Sequence, residues 1–246
     1  MKVIISPAKK MNVDTEFEIH SMPCFLDKTE FLMKYIQSLS YEQAKILWKC
    51  NDKIATTSFE YFSNMNLTER LTPAILAYEG IQYQYMARNV FDIKELEYIK
   101  NHLYILSGFY GLLKPFDGVV PYRLEMQSAI KLSGYKNLYN YWGDSLFTKL
   151  YEDTDIVLNL ASKEYSKCIE NYLSDEVQFI SCTFGEYKED KIITKGTLAK
   201  MARGEMVRYM AEEKIETLSE IKNFNRLGYR YSQEKSNNKN MVFIKE

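Results

Sequence analysis

The chain has 246 residues and a formal net charge of −1, with 46% hydrophobic and 26% charged residues. That length suits one large domain or two small ones, and the balance is ordinary for a soluble globular protein with a sizeable core. Bulk charge predicts no nucleic-acid or membrane partner, so any basic site must arise from local clustering.

The twenty Tyr and thirteen Phe supply bulky rings for a core or a contact surface. Cys24, Cys50, Cys168 and Cys182 show no Cys-x-x-Cys spacing, and the histidines are His20 and His102. No zinc site, other metal or cofactor is expected from that set. The first residues, Met1 to Ser6, contain too short an apolar run for a signal peptide. No run reaches the roughly 18 apolar residues of a membrane span. The expectation is a cytoplasmic protein with reduced thiols.

In chain order, Lys2 to Ile5 reads as a short buried strand ending at Ser6-Pro7. Residues 29–39 and 41–50 read as helices, with Ser40 and Gln43 forming a capping box at the second start. Thr72-Pro73 predicts the N-cap and N1 of a further helix. Residues 93–101 are helical by pattern, and His102 to Leu106 either extend that helix or form a strand. Asp155 to Leu160 is the clearest buried strand. A helix starts after it, with Ser162 as cap. Residues 177–184 and 191–194 predict a hairpin around Glu186 to Asp190. Residues 197–213 predict an amphipathic helix, Ser232 to Asn240 an exposed loop, and Val242 to Ile244 a last strand. Helices and strands intermix without repeat or linker. The expected class is α/β (mixed α+β): one compact domain over 1–246, a mixed sheet surrounded by helices, favoured as a monomer.

The densest signal is Leu106 to Met126, which holds three of the ten glycines and two of the five prolines in twenty-one residues. Lys114, Asp117, Arg123 and Glu125 are interleaved with them. A merely connecting loop would not need so many backbone-special residues beside alternating charges, and long structured loops in compact domains are often functional. The competing reading is a rigid turn with surface ion pairs.

Three expected strands end in small or polar residues, at Ser6 to Lys10, Ser107 to Gly111 and Ala161 to Glu164. Ligands gather beyond the carboxyl ends of strands in open α/β sheets, and a helix N-terminus there attracts anions. Lys9, Lys10, Lys163 and Lys167 would add charge, so a phosphate-bearing partner fits. At about 100° per residue, Ala199, Ala202, Met206 and Met210 form one apolar stripe. Lys200 and Arg208 fall on its far side, Arg203 at its edge, and Lys195 just before the helix. Such a face could track a phosphate backbone or be a solvated surface. Tyr139 to Asp144 places aromatics beside Asn140 and Asp144, with Trp142 either a base-stacking ring or a core anchor. There is no nucleophile elbow, P-loop or Gly-x-Gly-x-x-Gly. Leu103 to Lys114 compares with a helix–hairpin–helix, although its glycines are separated by two residues rather than one.

Several stretches together resemble the YaaA peroxide-stress family of bacterial cytosolic proteins. They are Ile5-Ser-Pro-Ala-Lys9, Leu106 to Asp117, Pro121-Tyr-Arg-Leu-Glu-Met126, Leu138 to Asp144, Val157 to Tyr165, Ala202-Arg-Gly204 and Phe224 to Tyr229. Met11 to Asn66 shows little of the pattern. The resemblance implies a role in surviving hydrogen peroxide by limiting free iron and the Fenton damage it causes. It also implies DNA binding through a positively charged cleft and a helix–hairpin–helix-like element. Two readings follow. In the first, double-stranded or distorted DNA is the partner. Lys9, Lys10, Lys114, Arg123, Lys195, Lys200, Arg203 and Arg208 would contact phosphates, and Gly108 and Gly111 would permit close approach. In the second, the chain is an enzyme acting on a nucleotide or nucleobase, in a pocket formed by the loops at 6–10, 106–126, 139–144 and 161–167. Arg123 and Lys9 would then bind an anion, Tyr122 or Trp142 would stack on a base, and Glu125, Asp144 or Glu164 would act as acid or base.

Overall fold

The computed structural model describes residues 1–189 and 191–246. The N-terminal part contains β1 (Lys2–Ile5), β2 (Lys10–Met11), α1 (Leu26–Gln37), α2 (Tyr41–Trp48) and α3 (Asp52–Ser63). There follow β3 (Thr72–Pro73), α4 (Ala74–Ala77), β4 (Tyr78–Glu79), α5 (Ile81–Met86) and α6 (Ile93–His102). The centre holds β5 (Leu103–Ser107), β6 (Gly111–Leu113), β7 (Gly118–Val119), α7 (Leu138–Trp142), α8 (Ser145–Leu150), β8 (Ile156–Asn159) and α9 (Lys163–Glu170). The C-terminal part comprises β9 (Gln178–Lys188), β10 (Lys191–Ile193), α10 (Gly196–Glu213), α11 (Leu218–Ile221), β11 (Tyr229–Tyr231) and β12 (Asn240–Lys245).

The fold is α/β, built on a mixed eight-stranded sheet in the order β11-β12-β9-β8-β1-β5-β6, with β10 also paired to β9. Strands β12, β9, β8, β1 and β5 run parallel, while β6, β10 and β11 add antiparallel edges. The register sets Val3 between Leu103 and Leu158. The three central strands are short and nearly all apolar, the pattern of strands covered on both faces. Ile4, Ile5, Ile105, Leu106, Val157 and Leu158 are fully buried. Helix α6 packs on β1, α9 on β5 and α10 on β9. Buried apolar side chains from Val3 to Phe243 form one continuous cluster.

Several local expectations hold. Ser40 and Gln43 make the reciprocal capping box that starts α2. Helix α10 and the β9–β10 hairpin stand where the pattern placed them, although Asp190 of that turn lies outside the described residues.

Other expectations are corrected. Thr72-Pro73 does precede a helix, but one residue out of register: Pro73 rather than Thr72 is the N-cap of the one-turn α4, the pair also bonds to Gly118-Val119, and Thr72 Oγ1 accepts the Asp14 N–H at 2.8 Å instead of capping. Ser162 occupies the N-cap of α9 but makes no side-chain cap bond. The Leu103–Lys114 stretch is not a helix–hairpin–helix. It is the β5–β6 hairpin, its turn held by Ser107 Oγ, which accepts the N–H groups of Phe109 and Tyr110. The cause is the unbroken apolar run Leu103 to Leu106, which is buried beside β1 rather than presented to solvent.

Candidate functional site

From β1 the chain crosses to β5 on one side and later returns to β8 on the other. That reversal of strand order is where open α/β sheets leave a crevice beyond the strand ends. A cavity of about 420 Å³ lies there. Ser6, the first residue past β1, ties its floor together. Its hydroxyl accepts the Ser162 N–H at 2.8 Å and donates to Ser162 Oγ at 3.2 Å. The Tyr83 hydroxyl donates to the Ser6 carbonyl at 3.0 Å. The β2–β4 pairing sets Lys10 against Glu79, and the two side chains form an ion pair at 2.8 Å. These contacts tie the loop after β1 to β4 and the start of α5.

A second wall is the strap Tyr122 to Glu125. It rests on the β5–β6 turn, where a Cβ on Gly108 would lie 2.5 Å from the Leu124 carbonyl. Only glycine allows that approach without displacing backbone. Tyr122 is buried, with its hydroxyl between Ser107 Oγ (2.6 Å) and the Tyr78 hydroxyl (2.7 Å) and its ring stacked on Phe109. The strap is pinned to α9, because Glu164 Oε1 accepts the Gln127 N–H at 3.3 Å.

The cavity collects Lys9, Lys10, Arg123, Lys200 and Arg203 against Glu79, Glu125 and Glu164. Glu125 is paired with Lys9 at 2.8 Å and lies 3.6 Å from Arg123. Glu164 has no cation within ion-pair distance among the described residues. Burial raises the Glu164 pKa above its ordinary 4.5, and the neighbouring Glu125 adds to this, opposed by the Gln127 and Met126 N–H groups and by Lys9. A carboxyl with a raised folded pKa contributes fully to stability below its unfolded value and loses that contribution as pH rises through the folded one. Glu164→Gln retains an acceptor for Gln127. Its melting temperature is therefore expected to gain on the wild type as pH rises from about 4 to about 7. Parallel melting curves over that range would contradict the burial of a titrating Glu164.

The cavity brings together the expected loops at 6–10 and 161–167, Tyr122 to Glu125 alone from the loop at 106–126, and the helix residues Lys200 and Arg203, but not the loop at 139–144. Trp142 is fully buried and donates Nε1–H to the Gly108 carbonyl at 3.1 Å, so it is a core anchor and no stacking platform. Tyr122 lines the cavity, but Phe109 covers one face of its ring. Gly108 and Gly111 serve internal packing: a Cβ on Gly111 would meet the Trp142 ring at 2.7 Å. Asp144 is exposed and outside the cavity. Lys114, Lys195 and Arg208 are outside it too; Lys195 is held by Glu186 at 2.6 Å and Arg208 by Glu212 at 2.8 Å. Sequence reading missed Glu79 to Tyr83. A glutamine inside the aromatic run Ile81 to Met86 carries no motif, and only the fold brings it to the cleft.

Residues 1–235 match a family profile described as "Peroxide stress protein YaaA". The chain belongs to the YaaA peroxide-stress family. A "UPF0246 protein" of Lachnoclostridium phytofermentans is 58% identical over the whole chain and 96% of its own length. One of Agathobacter rectalis is 53% identical, covering 99% of this chain and 98% of its own, and one of Ligilactobacillus salivarius is 50% identical over the full length of both. The matched residues thus include the loop after β1, α5, the strap, the start of α9 and α10, the elements that line the cleft. Among the described residues no helix is long and apolar enough to cross a membrane.

Proposed function

We propose that this member of the YaaA family serves the peroxide response by binding a phosphate-bearing, nucleotide-sized molecule in the cleft beyond β1, β5 and β8. The observation that carries this reading is Arg123. Its side chain is only 13% exposed, its nearest carboxylate is 3.6 Å away, and its Nε–H has no partner among the described residues. A buried guanidinium N–H left without an acceptor is costly unless a ligand supplies one. The volume of about 420 Å³ falls in the range of small-molecule sites and is far too small for a duplex. Glu125 and Glu164 would accept hydrogen bonds from sugar hydroxyls or base amino groups. Any acid–base chemistry on the ligand would fall to Glu164, the cleft carboxylate left without a cation.

DNA binding is the second reading, favoured by Lys9 and Lys10, whose side chains are 63% and 71% exposed at the mouth. A single nucleotide of a distorted strand would then enter the cleft. In either reading the limiting of free iron implied by the family resemblance would follow from the ligand. Among the described residues no group of three His, Cys, Asp or Glu side chains is placed to hold a metal ion. A thermal-shift screen of nucleosides, nucleotides and short DNA tests the proposal. At least one nucleotide is expected to raise the melting temperature, with Arg123→Ala weakening it about 10- to 100-fold. Stabilisation by DNA alone, unaffected by Arg123→Ala, would overturn the first reading in favour of the second.

A further inference from the structure

One wall of the cleft is made where α5 crosses α10. A Cβ on Gly204 would lie 2.1 Å from the Gln82 carbonyl, so glycine there is what lets the two helices touch. Two donors that line the cavity beside this contact are without a partner among the described residues. Gln82 is 6% exposed, and its Nε2 has no partner. Arg203 is largely buried, its Nε has no partner, and burial lowers its pKa. No carboxylate lies within ion-pair distance of Arg203 or of Lys200, one turn before it, among the described residues. The same cavity receives the start of α9, an eight-residue helix. Its N-cap Ser162 exchanges hydrogen bonds with Ser6 and caps nothing. The first N–H groups of α9 therefore lack a side-chain acceptor, at the positive end of the helix dipole. The Glu164 carboxylate is no substitute, because it is turned to Gln127 on the strap.

We propose that Gln82, Arg203 and the N-terminus of α9 form the seat of a phosphomonoester dianion. The cleft ligand is then a nucleoside monophosphate, with its phosphate here and its sugar and base toward Arg123, Glu125 and Glu164. This rests on the nucleotide reading above and gives it a direction. The charges agree: Lys200 and Arg203 present two positive charges without counter-ions among the described residues, and a phosphomonoester brings close to two negative ones at neutral pH. Several donors lining one cavity suit a tetrahedral group with three free oxygens.

Inorganic phosphate alone, titrated by calorimetry and by phosphorus NMR, tests the seat without the nucleotide. Phosphate is expected to bind the wild type and Lys195→Ala alike, and to bind Arg203→Met and Gln82→Leu at least about 10-fold more weakly. Without phosphate, Arg203→Met is expected to melt no lower than the wild type, since it removes a buried charge that has no partner. Each monophosphate should also bind more tightly than its nucleoside, and lose that advantage in Arg203→Met. Absence of phosphate binding, or equal binding by wild type and both seat variants, would overturn the seat. Nucleosides binding as tightly as their phosphates would overturn the seat and leave the cleft reading intact. Phosphate binding with no nucleotide tighter than phosphate would support the seat and sink the cleft reading.

Discussion

Gly204→Ala is expected to destabilise the protein by about 2 kcal/mol or more, the difference of two opposed effects. Alanine inside a helix gains about 1 kcal/mol over glycine. Against that, the new methyl group would stand 2.1 Å from the Gln82 carbonyl oxygen and 3.0 Å from the Met86 nitrogen. Both are backbone atoms, so no rotamer change relieves the overlap. Helix α5 must shift as a body, and overpacking of this kind costs about 3 kcal/mol or more. The shift would also displace Gln82 in the cavity wall. Urea denaturation measures the first effect through a lower midpoint with an unchanged slope. An unchanged or higher midpoint would mean that α5 and α10 are not in the close contact described.

Trp142→Ala is expected to cost more, about 3–5 kcal/mol. The ring is fully buried and packs on Phe25 and Tyr141 at centroid distances of 5.8 and 5.3 Å. It also fills the space over Gly111, and its indole N–H satisfies the Gly108 carbonyl. Truncation leaves a cavity under the β5–β6 turn and a buried acceptor without its donor. Since that turn carries the strap of Tyr122 to Glu125, loosening it should weaken the cleft only as a consequence of lost stability. Chemical denaturation of the variant separates the two roles. A fully stable Trp142→Ala protein that has lost only ligand binding would restore the stacking role that burial argues against.

These two residues show what the sequence made legible and what it did not. Strands β1 and β8, the Ser40 box and helix α10 were readable because each rests on local patterning: apolar runs, a reciprocal cap, a 3.6-residue stripe. Leu103 to Leu106 was ambiguous, because an unbroken apolar run fits a buried strand and a buried helix alike. Only its neighbour β1, about a hundred residues away in sequence, decides the matter. The expected helix at 29–39 begins at Leu26, and α3, capped by Asn51, was not anticipated. At the site, the loops at 6–10 and 161–167 converge because they directly follow the parallel strands β1 and β8, a rule that needs only strand positions, whereas Tyr122 to Glu125 arrive past β6 and β7 by resting on the β5–β6 turn. The glycine-rich segment was read for the wrong purpose. Gly108 and Gly111 admit a backbone strap and an indole ring rather than DNA phosphates. Gln82 had no signal of its own; it joins the cleft through Gly204, and no spacing rule links the two.

The most direct test of the central claim, a preformed nucleotide cleft rather than a basic surface, is the salt dependence of binding. A fluorescent nucleotide and a fluorescent duplex would each be titrated against wild type, Arg123→Ala and a Lys195→Ala/Arg208→Ala double variant. Each neutralised duplex phosphate contributes about 0.9 to the log–log salt slope, so a surface binder shows a steep dependence. The expected result is nucleotide binding with a shallow slope, lost in Arg123→Ala and unchanged in the double variant. Duplex binding with a steep slope, weakened in the double variant and indifferent to Arg123, would contradict it.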